Sequence, residues 1–466
     1  MSLRLCSLAI AATLVCQVVL SGGTAAEPKG YRPGASGLGD PYFPSLGNDG
    51  YDARHYDLSL SYNPGTSALE GVATISAKAT QNLSSFSLDL RGLHVSKVRV
   101  NGRTASFRRG DAKIFITPRH GIPNKTRFTV EVRYDGVPQP LGGPIVDDSK
   151  YGWLKTDDGV FTTGEPNATS TWMPCNDYPT DKATFDFRIK VPKGLTAISN
   201  GRLAGSREAN GQVTYTWRGH RPMATYLATV TIGKFSTRSG RTPRGVPLYI
   251  AYDQNLPAGQ LDFYKITSAA TDYWTQLFGP YPFEETGAVV DSVPGVSYAL
   301  ETQTKPSYAV PVRHEHTIAH EIAHQWFGNS VTVRQWKDIW LNEGFATYAQ
   351  WLWADRTGTK PVEKAFREVY EGAPPEFWDI VVGDPQRDTM FADAVYRRGA
   401  MTLHVLRKEI GDRPFFALLK AWAQEHRYEN GDTRQLIALA EKISGRQLDG
   451  LFRTWLFTKG RPPLGS

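Results

Sequence analysis

A chain of 466 residues with 40% hydrophobic, 12% aromatic and 21% charged residues has an ordinary globular composition, which excludes a disordered or fibrous protein and allows two or three domains. Its 53 basic and 46 acidic residues leave a formal charge of +7 that is spread along the chain. FRRG and YRRG are short pairs and not a basic tract, so no nucleic-acid partner is indicated.

Residues 1–26 read as a secretory signal peptide: Arg4, an apolar run from Leu5 to Leu20, then the small residues of SGGTAAEP with a cut near Ala26. A secreted protein is therefore expected. No later stretch approaches the roughly 20 apolar residues of a membrane span, so the mature chain should have none. Cys6 and Cys16 leave with the signal; the remaining Cys175 can form no internal disulfide and reads as a buried thiol. Residues 27–46, rich in Pro and Gly, read as a leader that runs over the surface with little depending on it.

From Tyr51 to Phe235 the hydrophobic period is two: YDLSLSY, ATISAKA, FSLDL, KIFIT, RFTVEVRY and ATFDFRIKV are short runs separated by turn residues, which predicts an antiparallel β domain over 47–240. Asn101-Gly102 marks a tight hairpin, because both central positions of that turn need positive φ. The Arg-, Pro- and Gly-rich stretch Arg238–Pro247 reads as the domain boundary. From Leu261 onward three-and-four spacing dominates, as in LDFYKITSAATDYWTQLFG and RRGAMTLHVLRKEIG, and predicts a mostly α-helical domain over 241–466. GAVVDSV and SYALETQTKPSYAV are apolar enough for strands within it.

The chemistry concentrates in TIAHEIAHQWFG and IWLNEGFATYAQ. Residues four apart share one helix face, so His320 and His324 can offer two imidazole nitrogens to one metal ion. Catalytic zinc generally takes a third protein ligand. Glu343, nineteen residues after His324, can supply it if a first helix ends near Gly328 and a second returns antiparallel from near Asp338. Glu321 then stands beside the metal as a general base. His314 and His316 lack this pattern and read as structural or solvated.

HEIAH, eighteen intervening residues and Glu343 resemble the gluzincin signature of the aminopeptidase N family of zinc metallopeptidases. The resemblance runs from GNDGYDARHYDLSL at Gly47 through PMATYLATVTIGKF to FRTWLFTKGRPPL. It implies a saddle-like β domain, a thermolysin-like catalytic domain, one zinc ion, and peptide substrates with a free N-terminal amine. It further implies that Tyr396 of AVYRRGAMTLHVL stabilises the oxyanion, that Glu301 of YALET and Glu165 of TTGEPNATSTWMPCNDYP hold the substrate ammonium, and that the backbone at Ala299 meets an extended peptide. Tyr298 and Thr302 stand where the family has Gly and Asn, and no long helical domain follows the catalytic one, so a more open site is implied. An endopeptidase or other hydrolase on the same zinc site, or a zinc-bearing binding protein without turnover, are the alternatives.

Overall fold

The computed structural model describes residues 30–146, 149–257, 259–296 and 298–464; the expected signal segment, with Cys6 and Cys16, lies outside them. The β half is built on an eight-stranded sheet in the spatial order Arg202–Ala209, Gln212–Met223, Ala183–Pro192, Tyr51–Asn63, Ala68–Ala79, Arg127–Gly136, His94–Val100 and Arg103–Thr104. Period two does the sorting. Along Tyr51–Asn63, Tyr56, Leu58, Leu60 and Tyr62 are buried while Asp57, Ser59 and Ser61 are only partly so. A five-stranded sheet that includes Lys150–Lys155 and Val160–Thr163, and a three-stranded sheet around Lys113–Thr117, complete this half. Asn101 and Gly102 sit at φ 50° and 74° between His94–Val100 and Arg103–Thr104, the hairpin their sequence demands. Cys175 is fully buried.

The helical half carries α1 (Phe263–Phe278), α2 (Glu315–Ala323), α3 (Trp340–Arg356), α4 (Val362–Gly372), α5 (Pro375–Asp379), α6 (Asp393–Ile410), α7 (Asp412–Glu425), α8 (Thr433–Ser444) and α9 (Asp449–Leu456). A five-stranded sheet lies beside them in the order Phe235–Arg241, Pro247–Asp253, Thr286–Asp291, Ser307–Ala309, Ala299–Leu300. Arg398 on α6 is fully buried, where an unpaired charge is costly. It is satisfied by carbonyls: Nε donates to Trp455 O at 2.8 Å, Nη1 to Trp378 O at 3.1 Å, and Nη2 to Thr454 O at 3.2 Å and Thr458 O at 2.5 Å.

Three expectations need correction. The Arg238–Pro247 stretch is not a linker: it turns a hairpin between Phe235–Arg241 and Pro247–Asp253, both in the second half's sheet. The change of sheet falls between Val230–Gly233 and Phe235, because Pro and Gly mark a tight turn as readily as a boundary. The first sheet is not wholly antiparallel, since Tyr51–Asn63 and Ala183–Pro192 run parallel with His55 opposite Thr184. Nor does the 27–46 leader merely cross the surface. Its Tyr42, Phe43 and Leu46 are buried, and Asp40 accepts from Tyr178 Oη at 2.7 Å in the β half and from Trp336 N at 3.2 Å in the helical half. Tyr42 Oη donates to Asp384 Oδ1 at 2.5 Å and accepts from Gln386 N at 2.9 Å.

The halves are also joined near the site. Asn200 Nδ2 donates to Gln303 O at 2.8 Å, and Gly201 N to Thr304 Oγ1 at 2.9 Å. Lys182 Nζ donates to the carbonyls of Asn329, Ser330 and Glu429 at 3.0–3.1 Å.

Candidate active site

His320 lies in the last turn of α2 and His324 caps it, so the two imidazoles stack one turn apart on one face. The helix stops at Ala323, earlier than the expected Gly328, and a series of turns leads to Gly328 at φ +123°. A Cβ on Gly328 would lie 3.2 Å from His324 Nδ1, so glycine lets the chain pass close over that ring. The chain then reverses into α3, whose first turn carries Glu343.

His320 Nε2 and His324 Nε2 are 3.1 Å apart, and each lies 3.4 Å from Glu343 Oε2. Donors bound at about 2.0–2.2 Å to a tetrahedral zinc lie about 3.3–3.6 Å from one another, so the two edges to Glu343 match such a face and the edge between the imidazoles is slightly shorter. His324 Nδ1 donates to Phe327 O at 3.0 Å, which turns its Nε2 into the triangle. Burial opposes a charge on this imidazole, but the surrounding carboxylates outweigh it and push the pKa up to about 10, a proton that a bound metal would displace. Burial alone would raise Glu343, but His324 and His320 outweigh it and hold the carboxyl down at about 2. The residues therefore fit a zinc ion.

Three more carboxylates surround the triangle. Carboxylate oxygens of Glu165, Glu301 and Glu343 come within 4.8 Å of one another, as do ligand atoms of Glu301, Glu321 and His324. All are buried, and Oε1 of both Glu165 and Glu301 has no hydrogen-bond partner. Burial pushes Glu165 and Glu321 well above the usual carboxylate range, reinforced at Glu165 by its carboxylate neighbours and opposed at Glu321 by His324. A buried group of four acids is costly without cations. A zinc ion would offset part of that charge.

Sequence-predicted residues thus converge from both halves. Glu165 follows Val160–Thr163 in the β half. Glu301 follows Ala299–Leu300, the outermost strand of the second sheet, in which Ala299 pairs with Tyr308. Tyr396, near the start of α6, lies with its ring stacked toward His320 at 6.3 Å between centroids and 17° between planes. Burial, then Glu343 and Glu165, push its phenol well above the usual range, so it remains a proton donor. His314 and His316 stack on each other at 4.9 Å outside the triangle.

Several supports were not anticipated. Gln325 Nε2 and Asn329 Nδ2 donate to Glu301 O at 3.1 and 2.7 Å, fixing the backbone that carries the Glu301 carboxylate. Gln325 directly follows HEIAH and Asn329 comes four residues later, polar residues on either side of Trp326-Phe327-Gly328, which is the signal that could have found them. Gly344 and Gly399 meet where α3 crosses α6: a Cβ on either would come within 2.9 Å of the other's Cα. This contact brings Tyr396, one turn before Gly399, alongside Glu343.

A tetrahedrally spaced pair of imidazoles and a carboxylate, with a second glutamate beside them where a β half meets a helical half, defines a zinc metallopeptidase. Residues 52–227 match the peptidase M1 N-terminal domain and residues 297–455 the peptidase family M1 domain. The chain belongs to peptidase family M1. An M1 zinc metallopeptidase from Deinococcus radiodurans is 31% identical with a TM-score of 0.85, over 92% of this chain and 100% of that one. A mutant of the Deinococcus radiodurans M1 zinc metallopeptidase bound to a Tyr-Ser-Ala substrate matches at 30% identity and a TM-score of 0.85, over 92% of this chain and 99% of that one. Aminopeptidase N of Lactococcus lactis is 25% identical over 88% of this chain and 51% of its own length. Leucyl aminopeptidase of Saccharolobus solfataricus is 25% identical over 88% of this chain and 54% of its own length. The chain spans about half the length of these curated relatives.

Proposed function

We propose that this chain is an aminopeptidase that removes the first residue from peptides with a free N-terminal amine, with one zinc ion held by His320, His324 and Glu343. The observation that carries the exopeptidase reading is the pair of buried, unpartnered Oε1 atoms of Glu165 and Glu301 within reach of Glu343. Two fixed carboxylates accept the substrate ammonium through charge-assisted hydrogen bonds and set the scissile bond one residue further on. When bound, zinc supplies Lewis acidity, polarising the scissile carbonyl and making water acidic enough to attack near neutral pH.

The chain's own residues do the rest. Glu321, buried and with its proton affinity raised, takes a proton from the attacking water and returns it to the leaving amine. Tyr396 donates to the oxygen on which negative charge develops. The Ala299 backbone, on an outermost strand, meets the extended peptide. The amino-terminal signal pattern supports export, and cell fractionation with N-terminal sequencing tests it.

Metal analysis and kinetics test the activity. Chelation should abolish turnover and zinc should restore it. Glu301→Ala and Glu165→Ala lower kcat/KM for a free dipeptide amide by about 2–5 kcal/mol of transition-state binding, and far less for its acetylated form. Equal losses on both substrates would make these carboxylates structural and the activity an endopeptidase's.

A further inference from the structure

The cavity beside the two ammonium-binding carboxylates has a volume of about 460 Å³ and is lined by Glu165 and Tyr396 together with Ile145, Tyr298, Leu300 and Phe391. The first side chain of a substrate anchored at Glu165 and Glu301 enters this space. The geometry points to Tyr298 as the residue that sets which first side chain is accepted, forming a fixed aromatic wall that favours a bulky apolar one. This inference rests on the aminopeptidase reading.

The wall is rigid because it is held at both ends. Its hydroxyl lies 3.1 Å from Thr163 Oγ1 and donates to Lys150 O at 2.9 Å, on two paired strands of the β half. The side chain packs on a small buried cluster of Leu154, Phe161, Val293, Val296 and Ala309. Swinging the ring away would therefore break contacts across the seam between the halves. The phenolic oxygen is engaged by these partners, so the ring face is what remains for a ligand. Thr163 and Tyr298 also lie two and three residues from Glu165 and Glu301, so wall and ammonium anchor move as one body. Asp388 and Asp393 reach the same cavity, but each is paired, with Arg387 at 2.7 Å and Arg397 at 2.9 Å. These pairs are half-exposed and weak, so the preference rests on the buried apolar wall of Tyr298 and not on the charges at the rim.

The test is kcat/KM for Ala, Leu, Phe and Arg amides, each free and acetylated, with the zinc-loaded wild type and with Tyr298→Gly, Tyr298→Leu and Tyr298→Phe. Wild type should favour Leu or Phe over Ala by about 10–200-fold, the range one or a few buried methylenes command. Tyr298→Gly should compress that ratio at least fivefold through KM. Tyr298→Phe, which keeps the ring and loses the hydroxyl's bonds, should retain most of it. Tyr298→Leu serves if the glycine variant fails to fold, and should shift preference from Phe toward smaller residues. A Leu-to-Ala ratio unchanged in folded Tyr298→Gly or Tyr298→Leu, or a wild-type preference for Arg over Leu, overturns the inference while leaving the aminopeptidase reading intact. Cleavage of acetylated amides as fast as free ones defeats that reading instead.

Discussion

Substituting Gly399→Ala tests whether the crossing of α3 and α6 sets the site. The added Cβ would stand 2.9 Å from Gly344 Cα, whereas carbon atoms pack at about 3.5–4.0 Å, so the helices must part by roughly 0.6–1 Å. Two effects on stability oppose each other. Overpacking costs about 1–3 kcal/mol, and replacing a helical glycine by alanine returns about 1 kcal/mol. The net change in stability is therefore small, on the order of 0–2 kcal/mol. Activity should respond more strongly, because Tyr396 and Glu343 sit within one turn of the contact on opposite helices. A displacement near 1 Å costs about 10²-fold in rate. Steady-state kinetics, a thermal melt and metal analysis on the same preparation separate these effects. In the variant kcat should fall roughly 10–100-fold with zinc retained and a melting temperature within a few degrees of wild type. Unchanged kcat with a raised melting temperature would refute this, since the gap would then have room for a methyl group.

Glu321→Gln should keep zinc while losing about 10²–10⁴-fold in kcat, and Tyr396→Phe about 10²–10³-fold; retention of wild-type kcat by either variant removes that residue from the mechanism. Asp291 is buried beside Asp253, and burial followed by that neighbour raises its carboxyl to about 8. A raised folded pKa means that the folded chain holds the extra proton, so this group's contribution to stability should fall as pH rises from about 4 to 8 and level off above. Asp291→Asn should remove that decline in melts between pH 5 and 9, and a parallel decline in the variant would exonerate Asp291. Tyr42→Phe should raise KM more than it lowers kcat, because Tyr42 holds Asp384 and Gln386 just ahead of the cavity-lining Asp388 and Phe391; an unchanged KM would confine the arm to a structural role.

The triangle was legible because helical spacing is a local property: His320 and His324 share a face whatever the rest of the chain does, and the return to Glu343 requires only one reversal. The Asn101-Gly102 turn was legible for the same reason, being written in two residues. What escaped depends on residues far apart in sequence. The parallel register of His55 with Thr184 joins positions 129 apart, and nothing in either strand's alternation records its partner. The Arg238–Pro247 stretch misled because turn and linker share a composition. The arm at Asp40–Leu46 looked dispensable because its worth lies in hydrogen bonds to Tyr178 and Trp336, which no local pattern announces. Gly344 and Gly399 are each unremarkable on their own helices and matter only where those helices meet.

Arg398 gives the order in which the catalytic half can be completed. Its guanidinium is enclosed by carbonyl oxygens from Thr454, Trp455 and Thr458, at the end of α9, and from Trp378. A chain cut before residue 454 would strand that cation in an apolar interior at a cost of several kcal/mol, or force α6 to expose it. Tyr396 lies two positions away on that helix. The placement of Tyr396, the proposed oxyanion donor, therefore depends on carbonyls of α9 and the residue pair beyond it, more than fifty positions later in the chain.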